Sequence, residues 1–360
     1  MQRRQLLTAL AAVSGVAQAA PLLRIGASAA LTGPAAALGR QYHLGSQAAL
    51  QAANEQGGIQ GQPLVLDLLD DGYEPDRAVA NTEALVGDER VLALLGYVGT
   101  PTSMAALPLV KRHQLAFVGP YTGADALWER ANPQVFMVRA SYRDEGRALA
   151  HAIRSDGARR VNVFYQADLY GRAGLEALRD AVAAAGITLG AAATVKRNTV
   201  EVADAVHELT ENAEAIYMVS TYETCAAFIE QARKAGYRGR FYSLSFAGRE
   251  PLRSALGGSL QGLVFAQVVP DPEDAQLPVV AQYQRALRAM GANAFDSISL
   301  EGYLATRVLL EALRHVKGPP TRARVLQALA GLGRLDLGGY VVQYGASERR
   351  GSRLVRIVRD

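Results

Sequence analysis

LLRIGASAALTGPAAALGRQYHLGSQAALQAANEQGGIQGQPLVLDLLDD, residues 22–71, runs from one short apolar stretch to another through a long amphipathic segment. Both apolar stretches, LLRIGAS and PLVLDLLDD, are bounded by Gly, Pro or Asp, as buried strands are. Between them Tyr42, Gly45, Ala49 and Ala52 recur at steps of three and four, which places them on one face of a helix over about 39–56. Strand, helix, strand is the repeating unit of a parallel sheet covered by helices on both faces.

The unit then repeats. VLALLGY and LAFVGP read as further strands, with helices predicted near 75–88, 101–112 and 124–130. A second array follows, with RVNVFYQA, LGAAATV, AIYMVS, RFYSLS and GLVFAQVV as strands. Its helices are predicted over 169–186, about 200–211, 222–235 and near 249–257. A Pro- and acid-rich connector, VVPDPEDAQLP, leads to helical stretches at roughly 274–290, 295–316 and 321–330, and GGYVVQY and RLVRIV close the chain as strands. The expected fold class is α/β, with two similar lobes, each a parallel sheet between helices.

Composition narrows the function. The chain has 360 residues, 49% apolar and 20% charged, which suits two globular domains. Its net charge of +4 includes Arg3 and Arg4, and no basic cluster marks a nucleic-acid footprint. MQRRQLLTALAAVSGVAQAA, residues 1–20, has two arginines, an apolar run and Ala17-Gln18-Ala19, so a signal peptide of residues 1–19, cleaved after Ala19, is expected. That predicts a periplasmic protein. Cys225 is the only cysteine, so no internal disulfide forms, and its place in ETCAAFIEQA reads as a small buried apolar residue.

A search for catalytic chemistry returns little. The five histidines show no metal spacing and read as surface or cap residues. Neither a G-x-S-x-G elbow nor a P-loop is present. Asp70-Asp71 reads as a solvated strand end. No cofactor or metal is expected, and an enzyme is disfavoured. Ligands of open α/β sheets bind just beyond the carboxyl ends of the strands, and those positions carry hydroxyls and tyrosines here. Thr100 and Thr102 fall at a predicted helix start, and Thr122 with Gly123 at another. Two such starts would hold a carboxylate without a cation, although threonine also serves simply as an N-cap. Tyr121, Tyr170 and Tyr222 would wall the rest of the ligand.

The opening segment also resembles the periplasmic leucine/isoleucine/valine-binding protein family, the type I solute-binding proteins of ABC transporters. The resemblance rests on Leu31-Thr32-Gly33-Pro34, Gly39, Asn54…Gly57-Gly58-Ile59-x-Gly61, Asp70 and Pro75-Asp76. YVGTPTS, GPYTGADAL, QADLYGRAG and QARKAGYRGRFYS follow in family order, so it spans essentially the mature chain. It implies two lobes joined by three crossovers near 141, 268 and 346: residues 20–140 with 269–345, and 141–268 with 346–360. It also implies that Thr100, with the turn Tyr121–Gly123, takes the ligand carboxylate. Tyr170 and Tyr222 meet the ligand from the second lobe, and Leu38 lies near its side chain.

One position departs from the family. Where amino-acid-binding members place an acid against the ligand ammonium, this chain has Ser245. A buried ammonium needs a counter-charge, so either Glu223 or Asp168 serves, or the ligand lacks an amine. Both a branched-chain or aromatic amino acid and an amine-free carboxylate stay open. The expected role is capture of a small carboxylate by a monomer for a membrane permease. A ligand-sensing module of the same fold is the alternative.

Overall fold

The computed structural model describes residues 22–345 and 349–359; the expected signal peptide and the crossover near residue 346 lie outside the described residues. The chain opens with β1 (Leu23–Ala29), α1 (Ala36–Glu55), β2 (Leu64–Asp70), α2 (Pro75–Gly87), β3 (Val91–Leu95), α3 (Thr100–Arg112), β4 (Ala116–Val118) and β5 (Val135–Phe136). These strands form one parallel sheet in the order β2-β1-β3-β4-β5.

Then come α4 (Tyr142–Ser155), β6 (Arg160–Gln166), α5 (Leu169–Val182), β7 (Thr188–Val195), α6 (Ala203–Thr210) and β8 (Ala215–Val219). They are followed by α7 (Tyr222–Lys234), β9 (Arg240–Ser243), α8 (Arg249–Ala255) and β10 (Leu263–Gln267). Three helices, α9 (Pro278–Ala289), α10 (Ser297–His315) and α11 (Arg322–Ala330), precede a small hairpin of β11 (Arg334–Asp336) and β12 (Val341–Gln343). The last strand, β13 (Arg356–Arg359), joins the second sheet, whose order is β13-β10-β9-β8-β6-β7, with only the β10–β13 pair antiparallel. Right through β3, β4 and β8 every residue is buried, as strands covered on both faces require.

Several elements differ from the sequence expectation. The stretch predicted as a helix at 124–130 is a short 3₁₀ turn, Asp125–Trp128. Asn132 ends it: its amide nitrogen donates to the Ala126 carbonyl at 2.9 Å, and the next residue, Pro133, disfavours a helical Asn132. Helix α4, strand β5 and strand β11 were not predicted. The first of these carries a capping box, in which the Ser141 hydroxyl accepts the Asp144 N–H while the Asp144 carboxylate accepts the Ser141 N–H. Asp71, read as solvated, is buried, bonded to the Ser28 hydroxyl at 2.7 Å, and raised by burial to a pKa of about 6. His43, read as a surface or cap residue, is also buried. Its ring lies 3.0 Å from the Gly96 carbonyl, and burial lowers its pKa to about 4.

Helix α1 packs along α10, and the two backbones touch through glycine. A Cβ on Gly45 would sit 1.7 Å from the Ser299 carbonyl oxygen, and one on Gly302 would sit 1.9 Å from that of Tyr42. This approach holds α1 over the sheet, where the Tyr42 hydroxyl donates to the Gly119 carbonyl at 2.6 Å, just past β4. Among the described residues no helix is long and apolar enough to cross a membrane. Gly45→Ala is expected to force the two helices apart and destabilise the protein by at least about 2 kcal/mol. Urea unfolding checks this; a loss below about 0.5 kcal/mol would show that the helices yield without strain.

Candidate functional site

The carboxyl ends of both sheets face each other, and the predicted residues come from both sides. After β3, Gly99 has φ +98 and a Cβ there would meet the Tyr73 ring at 2.2 Å, so only glycine fits. Thr100 then starts α3, and Pro101 lacks an N–H in its first turn. Gly99, not Thr100, is the cap residue, so the capping role weighed for Thr100 does not hold. Thr102 is also committed, since its hydroxyl donates back to the Val98 carbonyl at 2.5 Å. The Thr100 hydroxyl instead lies 2.7 Å from that of Thr122.

Thr122 sits in the turn after β4. Its hydroxyl also donates to the Tyr142 hydroxyl and accepts the Ala124 N–H, each at 3.2 Å. Within the turn, the Tyr121 N–H donates to the Tyr97 carbonyl at 2.7 Å and the Thr122 N–H to the Pro120 carbonyl at 2.9 Å. That leaves the Gly123 amide, which makes no backbone hydrogen bond among the described residues and faces the Tyr142 hydroxyl. The second helix start expected here is absent, because the 3₁₀ turn is too short to supply one. What converges is a buried pair of hydroxyls, the first turn of α3 and one glycine amide.

The opposite side is aromatic. Tyr170, on α5, is fully buried, and its hydroxyl has no hydrogen-bond partner among the described residues. Phe246, the residue after Ser245, fills the centre: its ring centroid lies 4.5 Å from Tyr170, 5.2 Å from Tyr121 and 6.1 Å from Tyr73. Tyr142, which the sequence analysis passed over, stands 5.6 Å from Tyr170. Tyr222 starts α7, and its hydroxyl accepts the Ala37 N–H at 3.4 Å. Leu38, beside Ala37, is buried against Gly248, where an added Cβ would meet its side chain at 2.9 Å. Glu223 is half-buried beside Tyr222, and burial raises its pKa. Asp168 is a cap: one carboxylate oxygen accepts the N–H groups of Tyr170 and Gly171 at 2.9 and 3.1 Å.

Ser245 follows β9 and is held by three hydrogen bonds. Its N–H donates to Glu145 Oε2 at 2.8 Å, its carbonyl accepts the Tyr121 hydroxyl at 3.3 Å, and its hydroxyl accepts from Arg139 Nη2. Arg139 is the centre of a buried ionic cluster. It pairs with Glu145 of α4 at 2.7 Å and Glu301 of α10 at 3.4 Å, and all three side chains are at most 2% exposed. The guanidinium carbon lies 5.4 Å from the Tyr121 ring centroid and 5.9 Å from that of Tyr142. Burial would lower the Arg139 pKa, but the two carboxylates outweigh it and hold it above its ordinary value. With two carboxylates to one cation, burial raises Glu301 to a pKa of about 7, against the pull of Arg139 and helped by Glu145. In sequence the only trace of this cluster is a lone Arg in VFMVRA and a lone Glu in SISLEGYL. Cys225 is buried as expected, and burial pushes its thiol up to a pKa of about 12. Among the described residues no cluster of His, Cys, Asp and Glu could hold a metal.

Two parallel-sheet units with facing carboxyl ends, polar on one side and aromatic on the other, define a two-lobed ligand-binding protein of the type I periplasmic binding fold. The chain belongs to the periplasmic binding protein family, whose model matches residues 23–359. It is 26% identical, over 89% of this chain and 87% of the relative, to a Leu/Ile/Val-binding protein homolog of Brucella melitensis. A crystal structure of a possible leucine/isoleucine/valine-binding protein from Rhodopirellula baltica superposes with a TM-score of 0.88, at 35% identity over 94% of both chains. A branched chain amino acid ABC transporter structure from Thermus thermophilus, with bound valine, shares the fold with a TM-score of 0.86, at 19% identity over 95% of this chain and 94% of that one. The matched family is one of periplasmic binding proteins, and the relatives named above are binding proteins rather than enzymes.

The raised Glu301 sets a pH dependence. Its ordinary value is 4.5 and its folded value about 7, so the folded state binds more protons than the unfolded chain between those limits. Its contribution to stability therefore falls as pH rises through that window. Glu301→Gln removes the titration. The variant should match the wild type near pH 4.5 and exceed it at about pH 8, by at most on the order of 3 kcal/mol. Guanidinium unfolding at both pH values tests the sign, and a wild type that gains on the variant as pH rises would contradict it.

Proposed function

We propose that this chain is the exported ligand-capturing component of an ABC importer, which closes its two lobes over a small carboxylate and presents the closed form to a membrane permease. The lobes are those drawn from the sequence, residues 20–140 with 269–345 and residues 141–268 with 346–360. The observation that carries the reading is the buried Thr100–Thr122 hydroxyl pair beside the first turn of α3. Neither hydroxyl caps its own helix start, and both stand where amide donors and the helix dipole favour an anion. In this reading the Thr100 and Thr122 hydroxyls exchange their hydrogen bonds to each other and to Tyr142 for bonds to the carboxylate, to which the Gly123 amide also donates. Tyr121, Tyr170 and Tyr222 enclose the rest, Leu38 contacts its apolar part, and Ser245 with Glu223 bounds the far side.

Closure is supported by contacts that run from one sheet's loops to the other's. Besides Ala37–Tyr222 and Tyr121–Ser245, the Glu74 carboxylate accepts from Arg197 at 2.5 Å and from Asn198 at 2.7 Å. A ligand that binds only the closed form draws on these contacts and shifts the equilibrium towards it.

A thermal-shift screen of the mature protein against amino acids and amine-free carboxylates tests the reading. A true ligand at a hundred times its dissociation constant adds about 2.7 kcal/mol of apparent stability. A panel without a shift removes the carboxylate assignment. Thr100→Ala and Thr122→Val should each weaken binding about tenfold or more, the loss of a hydrogen bond to a charged group, while far-ultraviolet circular dichroism stays unchanged. Unaltered affinity in both would return the pair to a packing role. Glu74→Ala should weaken binding roughly two- to fivefold by destabilising the closed form at its rim. Calorimetry reads this directly, and unchanged affinity would show that the Glu74 contacts add nothing to closure.

A further inference from the structure

We propose that closing the two lobes takes up a proton at Glu301, so that ligand is held more tightly as the medium turns acidic. The inference rests on the closure reading above and deepens it. Three buried side chains carry it. Arg139 meets Glu145 at 2.7 Å and Glu301 at 3.4 Å, with all three at most 2% exposed. Two carboxylates therefore share one guanidinium, and a proton neutralises the surplus negative charge where water cannot. The geometry decides which carboxylate takes it. Glu145 accepts at both oxygens, from Arg139 at 2.7 Å and from the Ser245 N–H at 2.8 Å. Glu301 has only the long contact to Arg139 at one oxygen, and among the described residues no hydrogen bond reaches the other.

Glu301 lines a cavity that lies where the proposed lobes meet. Tyr121, Ser297 and Glu301 line it from the first lobe, and Ser245, Arg249 and Val268 from the second. Its volume is about 10 Å³, room for about one water molecule. Opening draws the second set away from the first, breaks the bond from the Tyr121 hydroxyl to the Ser245 carbonyl, and lets water reach Glu301. The other groups that face Glu301 do not stand in for a proton. Tyr42 of α1, Tyr121 after β4 and Tyr340 of the hairpin are held neutral by burial first and by the Glu301 charge as well. Arg249, on α8, pairs with Glu250 at 2.5 Å. Burial is the largest cause that lifts Glu301 from its ordinary 4.5 to about 7, and opening removes that cause. The closed form therefore binds more protons than the open form between those limits, and a fall in pH through that window favours closing.

The test is titration calorimetry of the mature protein with leucine and with isovalerate, from about pH 6 to about pH 8.5, where both probes keep their charge. The wild type is expected to bind about five- to tenfold more tightly at the acidic end. Near pH 7 it should take up about half a proton per ligand, read from the difference in heat between phosphate and Tris buffers. Glu301→Gln, which is neutral throughout, should bind with one affinity at every pH and take up none. Equal wild-type affinity across the range, or a dependence that survives in Glu301→Gln, overturns the inference and leaves the closure reading intact. Nitroxide labels at Asp76→Cys and Glu201→Cys, close to the Glu74–Arg197 contact, follow the lobes without ligand, while the buried Cys225 stays unlabelled. Their separation should lengthen from the acidic to the basic end, and Glu301→Gln should abolish the change. A separation that a probe shortens but pH leaves unmoved overturns this inference alone. One that neither probe nor pH moves overturns the closure reading with it.

Discussion

A guanidinium sealed from water must be paired where it stands, and the arrangement around the cleft follows from how Arg139 is paired. Leaving such a charge without partners costs several kcal/mol, so the segments that carry its partners cannot drift independently. Those partners come from three directions: Glu145 at the start of α4, Glu301 in the middle of α10, and Ser245 beyond β9. The residue itself lies just after β5, where the chain leaves the first sheet for the second. One buried cation thus ties the connection between the sheets to a helix of each and to the loop that closes on Phe246.

The cluster works only because α10 is held at the right depth, and that is set by backbone packing. Gly45 and Gly302 let α1 and α10 approach until carbonyl oxygens fill the space where side chains would be. The same helix α1 carries Tyr42 and His43, which bond the carbonyls of Gly119 and Gly96 just past β4 and β3. Both of those glycines have positive φ, +56 and +65, so the two strand ends turn sharply beneath α1. The turn bearing Thr122 and the helix bearing Thr100 leave from these two points, which is why their hydroxyls meet at 2.7 Å. Small residues in α1 therefore set the geometry of a polar cluster beside which α1 itself carries Ala37 and Leu38.

The strand and helix alternation was legible because parallel strands buried on both faces leave continuous apolar runs, and LRIGASA, VLALL and AIYMV are such runs. β5 was not, since two residues give no period to read. Thr100, Tyr121, Thr122, Gly123, Tyr170 and Tyr222 were singled out because each stands directly after a strand or at a helix start, a local property. Arg139, Glu145 and Glu301 were missed for the opposite reason. Their pairing joins positions 6 and 162 apart in sequence, and nothing beside a lone charged residue announces which distant charge it will meet. Asp71 and His43 were misread in the same way, as polar residues whose buried partners lie on other elements.

The aromatic side of the cleft is where the loops of the two sheets meet most closely. Phe246 touches rings from both sheets' loops, and such contacts contribute about 0.5–1.5 kcal/mol each beyond simple burial. The proposed closing would gain several such contacts, set against the loss of water from the polar groups it covers. The Tyr170 hydroxyl and Arg139 Nε illustrate that loss, each buried without a hydrogen-bond partner among the described residues. When gains and losses nearly cancel, open and closed forms differ by little, and a ligand need supply only the difference in its affinity for the two. A cleft with a stronger aromatic contact would stay shut, and one with more unpaired polar groups would stay open. If the lobes close as proposed, the packing of Phe246 against unsatisfied donors would keep that equilibrium within reach of a small ligand.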